Sequence, residues 1–556
     1  MAIRAKIYPT GNHVTDTTVL LAEIAAASTG DVIQMAATTQ AQPGTVVPWV
    51  IGDAGGPDLS VVPISVGRTP YPTIESQGGY GPAGFSSDWT GFKQVIIDKS
   101  ITIKGDVDGG GLPKTVITDW LNGYATIGEY MVAIQKGFYG VDTMPAGTNW
   151  LTAGDCRPRF ENLTFKDMAL GIHMWTPFEL VNCLCDGGYN MIDVHQDPSK
   201  VYPNWAAAMA KPDASYDNLP DSAFYNPIKS LVKDCTFKNY MSIGLALLGT
   251  NELEVVGCTF KPGTSIDQPT SDFLCEYGAD GTVCIYQTAG YGSLDDMYFV
   301  IPYPARNVEV HDCTVDLTSL GAFTAYMPLG AIAFSGSNDS TNNGGGGHKR
   351  GIAIHNNMFV NMNMNPASVQ APWGYWSAID ISGARDRPVV DVRIYNNSIS
   401  GLTAMEYAGY ALPAISIYKV DQCVIADNIC LSFNPAIASG VEVSYDYGIT
   451  NDVLVNKNQF DGSALQNIDG PRGVEGLPVT IYGGSNIVVH ETGCFAPGKG
   501  NVKKNVFVSA DDTWNVRVIG EQANGQVKPV GVVASHKVSS ASKRVQIEAK
   551  KLGRQA

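Results

Sequence analysis

Three stretches of the chain repeat one short pattern of apolar and polar positions. Residues 230–240 read SLVKDCTFKNY, residues 253–263 read LEVVGCTFKPG, and residues 308–318 read VEVHDCTVDLT. Each begins with alternating apolar residues, which predict a short strand, and continues with a polar turn, a cysteine and a large apolar residue. The repetition predicts a solenoid, in which successive coils place equivalent residues above one another.

The turn position of Cys235 recurs along most of the chain. Its nearest copies are 20 to 23 residues apart, and longer steps add an inserted loop to the same coil. Small thiols and amides stacked at this position should form an internal ladder, in which Asn hydrogen-bonds from coil to coil. The predicted ladder is Leu163, Cys183, Cys235, Cys258, Cys313, Asn357, Asn397, Asn428, Asn458 and Gly493. Two positions later, an apolar stack is predicted at Phe165, Phe237, Phe260, Val315, Phe359, Ile399 and Phe460.

Each coil also contains a second alternating strand, whose inward positions include the pair Ile192 and Val194 and the pair Ile379 and Ile381. Its outward positions should form two columns on the surface, since side chains alternate between the faces of a strand. The first column is predicted to be His173, Asp193, Ala246, Cys284, Ala333, Asp380, Ser416, Glu442 and Thr480. The second is predicted to be Trp175, His195, Leu248, Tyr286, Ser335, Ser382, Tyr418, Ser444 and Tyr482.

Two N-terminal segments carry a family resemblance. DTTVLLAEIAAASTGDVIQM, from Asp16, resembles the capping helix and first strand of pectate-lyase-like β-helix proteins, and VIIDKSITIKGDVDGGGLPKTVI, from Val95, resembles their first coil. The resemblance implies an all-β fold, a right-handed parallel β-helix solenoid of roughly ten to twelve coils. The implied division is an N-terminal strand and capping helix at 1–35, the β-helix at 36–520 with insertions near 196–229, 262–306, 336–350 and 361–377, and a basic C-terminal cap or contact segment at 521–556.

Charge narrows the range of partners. The chain of 556 residues has a formal net charge of −16, but its last 56 residues are net +6 and residues 1–500 are net −22. An acidic body repels nucleic acid and anionic membranes, so we expect neither as a partner. No stretch approaches the ~18 apolar residues of a membrane helix, and no secretory leader is visible, yet we expect an extracellular, surface or virion location over a cytoplasmic one. The eleven cysteines lack metal-binding spacing, which favours free buried thiols and no metal site.

The first candidate site lies where two outward columns meet. The alignment places His173, Trp175, Asp193 and His195 together on adjacent coils, where they are suited to proton abstraction, metal binding or sugar stacking. The sequence DVH resembles the Asp-x-His of β-helix mannuronan epimerases, and Tyr189 lies one residue from the tyrosine position of that motif. The alternative is an Asp–His pair that only anchors the following loop.

A second candidate site is basic. Lys349, Arg350, Arg385 and Arg387 belong to two loops that should gather near Asp380 and supply the positive charge that a uronate-binding lyase needs. The alternative is that these side chains are simply solvated at the surface.

Other residues extend the candidate sites. Trp373 and Trp376 in an inserted loop, together with Tyr286, either line a glycan groove by ring stacking or bury a subunit contact. DVDGGG at 106–111 has some features of a calcium loop but lacks the remaining ligands, so calcium is the only cofactor considered and none is expected.

Two functions fit these observations. The first is a rigid surface or assembly protein, similar to a spike, tailspike, fibre or adhesin, that binds glycans or copies of itself as a homo-oligomer. It is favoured because the catalytic signatures of polygalacturonases and pectin methylesterases are missing, and because an acidic body and a basic tail are complementary. The alternative is a polysaccharide lyase, hydrolase or epimerase that acts in a groove on the β-helix face.

Overall fold

The structure is a computed structural model. It describes residues 3–51, 95–97, 99–119, 139–142, 157–174, 176–195, 204, 207–208, 210–212, 220–224, 229–248, 250–261, 283–289, 306–316, 331–336, 350–360, 377–383, 388–400, 412–431, 438–444, 450–461, 479–495, 506–519, 522–523, 526–527, 532–534 and 545–548. The chain forms two compact units, Met1–Ala305 and Arg306–Ala556.

Unit 1 contains one long helix and sixteen strands among its described residues. The helix is α1 (His13–Ala26). The strands are β1 (Ile3–Ile7), β2 (Val32–Met35), β3 (Trp49–Ile51), β4 (Val95–Ile96), β5 (Thr102–Gly105), β6 (Thr115–Asp119), β7 (Tyr139–Asp142), β8 (Arg159–Glu161), β9 (Leu163–Met174), β10 (Glu179–Val181), β11 (Leu184–His195), β12 (Ser230–Lys233), β13 (Thr236–Leu248), β14 (Asn251–Val256), β15 (Thr259–Lys261) and β16 (Val283–Ala289).

Unit 2 is built from strands in the residues described for it. They are β17 (Arg306–His311), β18 (Thr314–Asp316), β19 (Ile332–Gly336), β20 (Arg350–His355), β21 (Met358–Val360), β22 (Ile379–Ser382), β23 (Val389–Tyr395), β24 (Ser398–Ser400), β25 (Leu412–Tyr418), β26 (Val420–Ala426), β27 (Ile429–Leu431), β28 (Ala438–Ser444), β29 (Asn451–Asn456), β30 (Gln459–Asp461), β31 (Val479–His490), β32 (Gly493–Phe495), β33 (Val506–Ile519), β34 (Gln522–Ala523), β35 (Gln526–Val527), β36 (Val532–Ala534) and β37 (Val545–Glu548).

Pairing between coils is parallel and in register, so the predicted right-handed parallel β-helix is confirmed. In unit 1, Cys185 pairs with Phe165 on one side and Phe237 on the other. In unit 2, Phe359 pairs with Val315 and Ile399. The predicted apolar stack is therefore real, and its members are fully buried as the centre of the core.

The N-terminal helix forms as predicted. The side chain of Asn12 caps it by accepting from the Thr15 backbone N–H at 3.1 Å, as short polar residues do at helix starts. Asp16 in the first turn is fully buried and accepts from the backbone N–H groups of Thr10 at 2.7 Å and Val50 at 3.1 Å. These bonds tie the helix to the first strands of unit 1.

A left-handed backbone bend precedes every ladder position. In unit 1 the bend residues have φ between 48° and 65° and are Asn162, Asn182, Asp234 and Gly257. In unit 2 they have φ between 46° and 55° and are Asp312, Asn356, Asn396, Asp427, Lys457 and Glu491. Asn, Asp and Gly adopt this conformation more readily than other residues, which explains why they occupy all of these bend positions except Lys457 and Glu491.

The internal ladders are also present. In unit 1, the backbone N–H of Cys183 contacts the Cys235 Sγ at 3.5 Å. In unit 2, each Asn Nδ2 donates to the Oδ1 of the next coil, at 3.0 Å from Asn357 to Asn397, 2.9 Å from Asn397 to Asn428, and 2.8 Å from Asn428 to Asn458. Each buried amide is thus satisfied by the coil beside it.

The last ladder position differs from the prediction by one residue. Gln459 pairs with Gly493, so Thr492 occupies the position after Asn458, and its Oγ1 accepts from the Asn458 backbone N–H at 3.2 Å. The prediction of Gly493 at this position is therefore wrong. The ladder of amides ends in the hydroxyl group of Thr492, a residue type that the repeated Cys and Asn did not predict.

The cysteines with described side chains are free and buried, as expected. They are Cys183, Cys185, Cys235, Cys258, Cys313, Cys423 and Cys430. Burial raises the pKa of the Cys185 and Cys235 thiols well above the ordinary range, which makes thiolate chemistry unfavourable. These residues therefore serve packing.

Parallel pairing continues into the C-terminal segment. β36 and β37 both pair in parallel with β33, so strands of the solenoid occur beyond residue 520. In the described part of the chain, no helix has both the length and the apolar character needed to cross a membrane.

We predict that the Asn ladder is a main source of stability in unit 2. Replacing Asn458 by Ala removes its bonds to the Ile425 carbonyl group and to Asn428, and leaves those buried groups unpaired. The free energy of unfolding should fall by about 2–4 kcal/mol, as measured by denaturant unfolding. The control is Gln459→Ala on the adjacent exposed residue, which should change stability little; equal effects of both substitutions would contradict the prediction.

Candidate functional site

A column of polar side chains runs across four strands of unit 2. Asp380 on β22 pairs with Ser416 on β25, Ser416 pairs with Glu442 on β28, and Glu442 pairs with Thr480 on β31. We call these four residues the acidic column. Ala333 pairs with Asp380 on the other side. The register therefore confirms the predicted first outward column from Ala333 to Thr480.

The acidic column is shielded from solvent although it lies on the outer face. The neighbours of Asp380 in sequence, Ile379 and Ile381, are fully buried in the core, so the alternation of a strand places Asp380 on the opposite side. Even so, Asp380 is 6% exposed, Ser416 is 7% exposed, and Glu442 is only partly exposed. Polar groups this poorly solvated are found mostly at sites with a structural or chemical role.

The environment of the column raises the pKa of one of its two carboxyl groups. Desolvation, followed by the negative charge of Asp380, raises the pKa of Glu442 from 4.5 to about 8. Glu442 therefore holds a proton at neutral pH. A protonated carboxyl group can donate that proton, whereas an ionised neighbour can accept one, and such a pair is the usual equipment for general acid–base catalysis.

The spacing of the pair is set by the solenoid. Asp380 and Glu442 are two coils apart, with Ser416 between them. With strands about 4.8 Å apart, their Cα atoms are separated by about 10 Å. Ser416, which has a small side chain, is the residue between them in the column.

Two further side chains shape this surface. Thr480 is 2% exposed, and its Oγ1 is buried without a hydrogen-bond partner among the described residues. Tyr418 follows Ser416 by two residues and so lies on the same face of β25. The Lys419 ammonium group lies 4.6 Å from the centroid of the Tyr418 ring, a cation–π contact that helps to fix the ring.

The first site predicted from the sequence lies in unit 1, where the register brings part of it together. His173 pairs with Asp193, as predicted, and His195 pairs with Leu248. Asp142 on β7 also pairs with His173, so the backbone column reads Asp142, His173, Asp193. Asp142 is an unpredicted member of this column, and its only mark in the sequence is its place after a short alternating stretch. Trp175 lies outside the described residues, and Tyr189 lies within β11.

The predicted position of Tyr286 is wrong by one column. Tyr286 pairs with Ala246, and Thr288 takes the place beside Leu248. The prediction had put Cys284 beside Ala246, but Ile285 pairs with Leu245, so the strand is offset by two residues. The long insertion before β16 left its register without a nearby anchor in the sequence.

Of the predicted basic site, only Arg350 and Asp380 are described. Arg350 begins β20, is exposed, and pairs with Arg306 and Val390, whereas Asp380 pairs with Ala333 and Ser416. Arg350 and Asp380 thus belong to different columns. The residues that lie outside the described part of the chain are Lys349, Arg385, Arg387, Trp373 and Trp376.

The aspartates of DVDGGG take part in protein contacts. Asp106 accepts from the Lys6 Nζ at 3.1 Å and from the Gln34 Nε2 at 2.9 Å. Asp108 accepts from the backbone N–H groups of Gly110 and Leu112, which closes the turn. Over the described side chains, no group of three or more His, Cys, Asp and Glu residues is arranged to hold a metal ion.

Fold and site together define a right-handed parallel β-helix protein with an acidic outer column. No protein-family model matches the chain, and no curated protein matches its sequence. The catalytic unit of a thermostable GH87 α-1,3-glucanase from Streptomyces thermodiastaticus is 8% identical with a TM-score of 0.48, over 98% of this chain and 72% of that one.

Two other solved structures are similar at the same level. PfbA, a surface adhesin of Streptococcus pneumoniae, is 13% identical with a TM-score of 0.43, over 77% of this chain and 83% of that one. A mutant tailspike protein of the E. coli bacteriophage HK620, in complex with a pentasaccharide, is 10% identical with a TM-score of 0.43. The match covers 97% of this chain and 76% of that one. Identities this low assign no activity to this chain.

We predict that Glu442 makes the stability of the protein depend on pH. Its carboxyl group binds a proton more tightly in the folded protein than in the unfolded chain. Its contribution to the free energy of unfolding is therefore complete below about pH 4.5 and is lost as the pH rises to about 8. Glu442→Gln stays neutral, so its melting temperature relative to wild type should increase between pH 5 and pH 8.5.

The control for this measurement is Glu254→Gln, which changes another partly exposed glutamate on a strand of unit 1. Its melting curves should follow those of the wild type at each pH. A difference between Glu442→Gln and wild type that stays constant over this range would show that Glu442 titrates normally.

Proposed function

We propose that this protein processes a glycan, and that the acidic column hydrolyses a glycosidic bond of that glycan. The observation that carries the proposal is the contrast between Glu442, whose pKa is raised to about 8, and Asp380 two coils away. A carboxyl group that keeps its proton, with a second carboxyl group nearby, is what glycoside hydrolysis requires.

The roles follow from the protonation states. Glu442 donates its proton to the oxygen of the leaving sugar as the bond from that oxygen to the anomeric carbon breaks. Asp380 accepts a proton from a water molecule, whose oxygen forms the new bond to the anomeric carbon. One water molecule is consumed, and exchange with solvent then removes the proton from Asp380 and returns one to Glu442.

The separation of the carboxyl groups favours one stereochemical outcome. Retaining enzymes hold their two carboxyl groups about 5–5.5 Å apart, whereas inverting enzymes need about 6.5–9.5 Å to accommodate the water. The Cα atoms of Asp380 and Glu442 are about 10 Å apart, a two-coil spacing that is nearer to the second class than to the first. The sugar released at the cut should therefore have an inverted anomeric configuration.

We predict that the activity depends on both acids. Purified protein is incubated with a panel of neutral glucans and with alginate and pectate, and reducing ends are measured. Glu442→Gln should lower the turnover number by about 10²–10⁴-fold, because it removes the general acid. Asp380→Asn should cause a comparable loss, whereas the control Glu254→Gln should retain activity.

Two further readouts test the mechanism. Activity should decline above about pH 8, where Glu442 loses its proton. NMR of the first products should show inversion at the anomeric carbon. An unsaturated product that absorbs in the ultraviolet would instead indicate a lyase, and unchanged turnover in Glu442→Gln would place the active site elsewhere.

A second candidate is the rigid protein that the sequence favoured: a self-associating spike, fibre or adhesin at a cell or virion surface that binds glycans without cleaving them. The shielding of the acidic column supports it, because poorly solvated carboxyl groups with a shifted pKa also occur where their role is structural. Glycan binding with no released products, together with a multimeric mass by light scattering, would favour this candidate.

A further inference from the structure

The Thr480 hydroxyl group is the feature of the acidic column that the hydrolytic mechanism leaves unused. Val479 and Ile481 on either side are fully buried in the core, so Thr480 lies on the outer face of β31, one coil beyond Glu442. Its Oγ1 is buried, and among the described residues it has no hydrogen-bond partner.

An unpaired buried hydroxyl group is costly. It has lost its bonds to water and gained none from the protein, which destabilises the folded state. Such groups are uncommon in native proteins and call for an explanation, of which a bound molecule is one. Here the unpaired group stands in line with two carboxyl groups, on the side of Glu442 away from Asp380.

We propose that the Thr480 hydroxyl group binds an uncharged sugar unit next to the bond that is cut. The glycan then lies along the axis of the solenoid, with the bond over Glu442 and Asp380 and the neighbouring unit over Thr480. This inference rests on the proposed function, and it adds the orientation of the chain and the class of sugar at this subsite.

The chemistry of the column favours an uncharged unit. A hydroxyl group pairs well with a sugar hydroxyl, since each can donate and accept. A uronate here would instead bring a second negative charge into the column that already holds the charge of Asp380, a repulsion that a buried site amplifies. Asp380 already has this effect on Glu442, whose pKa it helps to raise.

Another buried threonine provides a matched control. Thr118 in unit 1 is 2% exposed, and its Oγ1 likewise has no partner among the described residues. Its position in register on β6 is beside Val50. Replacement of either threonine by Val removes an unpaired hydroxyl group and keeps the branched shape, so neither substitution should lower the melting temperature.

The test measures binding without cleavage. Thr480→Val and Thr118→Val are each made in the Glu442→Gln background and titrated calorimetrically with laminarihexaose, maltohexaose, cellohexaose and an alginate hexamer. We expect one neutral hexasaccharide to bind, Thr480→Val to weaken it by about 10- to 100-fold, and Thr118→Val to leave the affinity unchanged.

The outcomes separate this inference from the proposed function. A neutral hexasaccharide that binds equally well to Thr480→Val overturns the role of Thr480 and leaves the hydrolytic site in place. Preferential binding of the alginate hexamer overturns the uncharged subsite. Failure of Glu442→Gln to bind any of the four probes counts against the proposed function and against this inference with it.

Discussion

Stacking of coil on coil in a fixed register is the constraint on which this structure depends. Along the ladder, a residue with positive φ precedes each inward position, and between Leu163 and Thr492 those positions hold thiols or amides. In unit 2 the amide of Asn397 bonds both to Asn428 on the next coil and to the backbone carbonyl group of Ile354. A shift of one residue would break these bonds and move every core side chain to the surface, so the ladder selects one register.

The same register assembles the candidate site. Asp380 and Glu442 are 62 residues apart in sequence, yet only Ser416 separates them in the column. Because the inward neighbours on each strand are locked in the core, the outward side chains have little freedom to separate. The mutual influence of the two carboxyl groups is therefore a consequence of packing on the other side of the sheet.

Much of this arrangement could be predicted from the sequence, because alternation and the repeated turn both report backbone geometry. The column from Ala333 to Thr480 and the Asn ladder were predicted residue by residue. Predictions failed where no local pattern fixes the register, as at Tyr286 after a long insertion, or where the chemical type changes, as at Thr492. The importance of Glu442 was not predicted either. Residues 441–445, VEVSY, show a carboxyl group between two core residues, but they do not show how poorly that group is solvated.

The buried thiols of the core have a consequence for how the protein matures. The cysteines with described side chains are unpaired, and stacking holds them in place without covalent links. Where the structure describes the thiols, packing holds the core together and no disulfide contributes. Raised thiol pKa values also slow attack by oxidants. Folding of this part of the core therefore consumes no oxidant.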